Sequence, residues 1–78
     1  MKKYEVVKEV FNPCGGDKRP DNREIMELRL RDPADYVQQQ YMQERSVEFL
    51  ALEQEDGSPV IEALLEGGRK HRYTFNEL

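Results

Sequence analysis

The dipeptide Asp32-Pro33 constrains this chain more than any other feature. Aspartate is among the best N-cap residues, and proline at the first helical position gives up an amide that has no partner there anyway. A helix therefore starts at this point. Asp35 lies in its first turn, where the helix dipole favours a carboxylate. Ala34, Val37 and Tyr41 fall on one face at helical spacing, with Tyr36 and Met42 on the flanks, and the helix is expected to run to about Glu44 or Arg45. Gln38, Gln39 and Gln40 are good helix formers and need no other role.

Elsewhere the apolar residues recur at every second position, which is the period of a strand. Residues 3–11, KYEVVKEVF, are rich in β-branched and aromatic side chains. The two faces of that strand, Tyr4/Val6/Lys8/Val10 and Glu5/Val7/Glu9/Phe11, suggest burial at one end on each side. Residues 12–22 hold two prolines, two glycines, two asparagines and two aspartates, and read as an irregular loop. In residues 24–31, Met26, Leu28 and Leu30 alternate against Glu27, Arg29 and Arg31. Residues 46–54 place Val47, Phe49 and Ala51 on one face and Leu50 and Leu52 on the other. Asp56-Gly57 between two apolar runs is a strong hairpin signal. Pro59 opens the return strand where its missing amide does no harm, and residues 60–66 complete it. Gly67-Gly68 turns the chain again, and residues 69–75 alternate Tyr73 and Phe75 against Arg72 and Thr74.

The expected fold is a single α+β domain over residues 1–78. Its elements run β-β-α-β-β-β, with an antiparallel sheet of about five strands. The last three strands form a meander, and the amphipathic helix packs on one face. Within 78 residues only about 60 % of the unfolded surface is buried, so association is one natural source of extra stability. The sheet face left open, on its Leu50/Leu52 side, is where a dimer or partner contact is expected.

Composition narrows the function classes. The longest apolar run is residues 49–52, far short of the roughly 20 residues a membrane span needs. Lys2 and Lys3 resemble the start of a signal peptide, but Glu5, Lys8 and Glu9 break the apolar stretch behind them. With a single cysteine and no disulfide framework, the chain is expected in the cytoplasm. The net charge of −4 is unevenly spread: residues 1–31 carry eight basic and six acidic side chains, 32–66 one and nine, and 67–78 three and one. That pattern offers nucleic acid no dominant cationic field, while it suits oriented pairing with a protein. No nucleic acid, membrane, cofactor or metal is expected.

Two places carry reactive groups. Cys14 stands in the loop beside Gly15 and Gly16, whose amides suit an anion, with Lys18 and Arg19 close enough in sequence to lower a thiol pKa. It has no second cysteine beside it, and a mononuclear metal site needs about four ligands; the plainer reading is a small residue in a turn. His71 is the only histidine, a group that titrates near neutrality and so a potential general base. Arg69, Lys70 and Arg72 around it favour the neutral ring and would attract an anion to the turn, although no phosphate-loop pattern is present. The plainer reading is a solvated hairpin. A Cys14–His71 pair works only if the two turns meet in space. Tyr36 and Tyr41 read as core or core-rim residues of the helix rather than as a stacking platform, since the sheet is acidic.

These residues support a non-enzymatic interaction or accessory module, associating through its sheet as a homodimer or with another protein. The alternative is a thiol-dependent function, with Cys14 acting as nucleophile, redox thiol or shared metal ligand and His71 as its partner.

Overall fold

A computed structural model describes residues 1–12, 20 and 22–78. Five strands and one helix follow in the expected order: β1 (Lys2–Phe11), β2 (Asn22–Leu30), α1 (Pro33–Gln40), β3 (Val47–Glu53), β4 (Pro59–Leu65) and β5 (Lys70–Glu77). They form one antiparallel sheet in the order β2-β1-β5-β4-β3. The meander of the last three strands is therefore present. The terminal strands close the fold, because β5 pairs with both β1 and β4. The connection from β2 to β3 runs from one edge of the sheet to the other and carries α1 over one face.

Residues directly opposite in an antiparallel ladder share a face, so the register separates the two sides. On the helix side stand Tyr4 and Val6, Tyr73 and Phe75, Ile61 and Ala63, and Leu65. Val37 of α1 and Tyr41, just past its end, reach down to complete this cluster, with Met26, Leu28, Leu30, Ala34, Tyr36 and Val47 packed around it. Val37 is fully buried, and burying such a side chain stabilises by about 1.5–3 kcal/mol. Tyr36 meets Tyr73 and Phe75 edge-on, with ring centroids 6.3 Å apart in each case, a favoured aromatic arrangement. Burial along β1 switches sides as its alternation suggested: Tyr4 and Val6 lie under the helix, and Phe11 is buried on the opposite face.

The helix is capped as expected, with the Asp32 carboxylate accepting from the Ala34 amide at 3.1 Å. It is shorter than expected, ending at Gln40 instead of Glu44 or Arg45. The side chains beyond it do not forbid helix. Instead, Tyr41 is drawn onto the sheet and its backbone leaves the helical region, with amides 41 and 44 bonding three residues back in tight turns. Met42, expected on the helix flank, is consequently in solvent.

Candidate functional site

The helix-free face divides into three bands. Along the β3–β4 side, Leu50 stands opposite Glu62, Leu52 opposite Val60, and Glu48 opposite Leu64. The exposures of Leu50, Leu52 and Leu64 are 46 %, 43 % and 37 %. A charged seam follows between β4 and β5. Glu62 is buried, accepts from Arg72 Nε at 2.8 Å and lies 3.9 Å from Lys70 Nζ. The Lys70 and Arg72 cations in turn sit 4.9 Å from the centroid of the Phe11 ring, whose π-face attracts them. Beyond the seam, on edge strand β2, Ile25 is exposed. A buried carboxylate is tolerated only when paired, and this one is.

Strand β3 is unusual within the sheet. Every residue from Glu48 to Glu53 is exposed, although Phe49, Leu50, Ala51 and Leu52 are apolar. The cause differs by face: Leu50 and Leu52 lie on the side that no helix covers, while on the other side the eight-residue helix packs on β4 and β3 is met only at Val47 and at Phe49, whose ring centroid is 6.1 Å from that of Tyr41. Hollows consequently flank the second half of β3. On the helix side an open groove of about 490 Å³ is lined by Ala34, Ala51, Ile61 and Tyr4. On the other side a shallow depression lies among Leu52, Val60, Glu62 and Arg72.

His71 occupies the helix side, where alternation along β5 separates it from Lys70 and Arg72. It is partly buried, and Tyr41 Oη lies within hydrogen-bonding distance of its Nδ1. Tyr41 Oη is also 2.8 Å from Tyr73 Oη, so a phenol–phenol–imidazole chain joins helix to sheet. The His71 pKa lies below its ordinary 6.5, first through burial and then through Lys8 and Arg69, with Glu44 opposing. The neutral ring foreseen from the neighbouring cations is thus favoured mainly by desolvation. Burial likewise raises Tyr41 far above the ordinary 10.0 of a phenol, helped by the bond to Tyr73. Tyr41 stays protonated, so it can donate to a neutral His71 Nδ1 while accepting from Tyr73. This histidine is a packed member of a hydrogen-bonded chain, not the solvated hairpin residue of the plainer sequence reading. Tyr41 is a core residue and Tyr36 packs at the rim of the core.

Of the other candidates, Cys14, Gly15, Gly16, Lys18 and Arg19 lie outside the described residues, and with them any meeting of Cys14 with His71. Arg69 is exposed at the β4–β5 turn, whereas Lys70 is engaged with Glu62 and Phe11. Leu50 and Leu52 both face away from the helix. Two features escaped sequence reasoning. Glu62 was marked only as a charge inside an apolar strand, and the Tyr41–His71–Tyr73 chain only by the shared parity of residues 71 and 73. Among the described residues, no three His, Cys, Asp or Glu side chains cluster as metal ligands do, and no helix is long and apolar enough to cross a membrane. No protein-family model, curated protein or solved structure matches the chain.

Proposed function

We propose that this protein is a non-enzymatic interaction or accessory module that binds a protein partner through the β3–β4 side of its helix-free face. The observation that carries the reading is the strip of Leu50, Leu52 and Leu64, each more than a third exposed beside the paired Glu62. Contiguous apolar surface on a small domain marks a contact site more often than it marks chance. A charged seam beside such a strip suits orientation of the partner, since charges at an interface rim set register more than affinity. The single cysteine fits a cytoplasmic setting.

The test follows the mass of the full chain by sedimentation, together with the proteins a tagged chain retains. Leu50→Lys and Leu52→Lys are expected to abolish whichever association the parent shows while leaving its circular dichroism intact. Cys14→Ser is expected to leave association unchanged. Association that survives both lysines, or that is lost with the serine, would overturn the reading.

A further inference from the structure

We propose that β3 pairs antiparallel with β3 of a second copy of this chain, joining the two sheets edge to edge into one of ten strands. This rests on the association reading above and names both the partner and the geometry. The starting point is the free backbone of the edge. Gln54 N–H bonds to Ser58 C=O at 3.0 Å, in line with the β3–β4 register. Because hydrogen-bonded and non-hydrogen-bonded positions alternate along an antiparallel ladder, Glu48, Leu50 and Leu52 turn their amides and carbonyls toward β4. Val47, Phe49, Ala51 and Glu53 turn theirs outward. Pro59, which has no amide to give, stands opposite Glu53, as this alternation requires.

Edge strands of folded proteins are normally guarded by lysines, prolines, bulges or short length. The other edge, β2, shows such guarding, with Arg23, Glu24, Glu27 and Arg29 among its nine residues. β3 has neither lysine nor proline, and its only charges are Glu48 and Glu53. It is also apolar on both faces, so a partner that covers only the helix-free side would leave Ala51, and the part of Phe49 that Tyr41 does not cover, exposed. Another β3 laid alongside brings apolar neighbours to the residues of both faces at once.

Symmetry and charge select the occupant and the register. A two-fold axis through Leu50 pairs all seven residues of β3, and shifting the axis by one residue loses two of those pairs. In the full register Leu50 meets Leu50, Phe49 meets Ala51, Glu48 meets Leu52 and Glu53 meets Val47. No carboxylate opposes another, which matters because like charges directly opposite destabilise a ladder. Continued outward by two residues, the same register sets Arg45 of one copy against Glu55 of the other at both ends. Arg45 is the one basic residue between positions 32 and 66.

Three measurements on the full chain test this. Light scattering across a concentration series is expected to give the mass of two chains. Ala51→Pro removes an outward amide without touching the β3–β4 ladder, and is expected to give a folded single chain. In a Cys14→Ser background, Leu50→Cys places two thiols on the axis, where Cα atoms of a non-hydrogen-bonded pair are about 4.5 Å apart, within disulfide reach. Glu48→Cys places them four residues apart along the strands, about 14 Å. With an added oxidant, the Leu50→Cys chain is expected to cross-link many times faster than the Glu48→Cys chain. Equal cross-linking rates overturn the register and the proposal, and they decide the matter even if Ala51→Pro does not fold. A dimer that Leu52→Lys breaks but Ala51→Pro spares would overturn edge pairing and leave the face reading standing. A parent chain with the mass of one chain at every concentration would overturn the second copy as occupant; the broader reading would then stand or fall by whether the two lysine variants lose retained protein.

Discussion

At the scale of single residues, His71 links burial to pH. Its folded pKa lies below the 6.5 expected of the unfolded chain, so over the interval between the two the unfolded state binds more protons. Stability then rises with pH through that interval. The contribution is complete above the unfolded value and is lost as the pH falls through 6.5 toward the folded value. Urea midpoints measured from about pH 8 downward are expected to fall in this window, and His71→Gln is expected to flatten that fall. An unchanged slope in the variant would mean that other groups carry it. Asp56 acts in a separate, more acidic window. The Ser58 amide, at 2.9 Å, holds its carboxyl below the ordinary 3.8, so its effect does not mask that of the histidine.

At the scale of elements, α1 has little stability of its own. Eight residues fall below the roughly 12–15 at which even good isolated helices begin to persist. What holds α1 is its cap and the two anchors Val37 and Tyr41 in the core. Asp32→Ala is expected to lower unfolding free energy by about 1 kcal/mol, and Asp32→Asn, which can cap equally well, by much less. Chemical denaturation checks this, and equal losses would mean that the carboxylate works by charge rather than as a cap. The second hairpin depends similarly on one residue. Gly57 has φ 86°, a conformation that L side chains rarely adopt, although nothing lies within 4 Å of the position a Cβ would take. Any cost of substitution there is conformational rather than steric.

At the scale of the molecule, β5 is the keystone. It is the only strand hydrogen-bonded to both β1 and β4, so it joins the β1–β2 pair to the β3–β4 pair. Isolated two-stranded hairpins are marginal in water. A chain ending at Gly68 is therefore expected to lose its circular dichroism and its hydrogen-exchange protection, despite retaining the other four strands and the helix. A protected remainder would show that the two hairpins can pack without it. The uneven charge of the sequence also finds its place here. The acid-rich span of residues 32–66 meets the basic last strand along the β4–β5 seam, where Glu62 lies against Lys70 and Arg72.

The local chemistry of the chain determined its elements. An aspartate and a proline started the helix, period-two alternation made the strands and assigned their faces, and glycine with aspartate closed the hairpin. These are short-range effects, set by backbone sterics and hydrogen bonds within a few residues, so they are legible without the fold. Alternation set Leu50 and Leu52 opposite Phe49 and Ala51 in the same way, but which of the two faces the helix covers was not legible. Tertiary structure alone decided that the terminal strands pair, that the helix stops at Gln40 because Tyr41 bonds to His71 and Tyr73, and that the helix packs on β4 and leaves most of β3 open. Each of these depends on contacts between residues 30 or more positions apart, or on the width of a sheet against the length of one helix. Such distances are set only when the whole chain closes on itself.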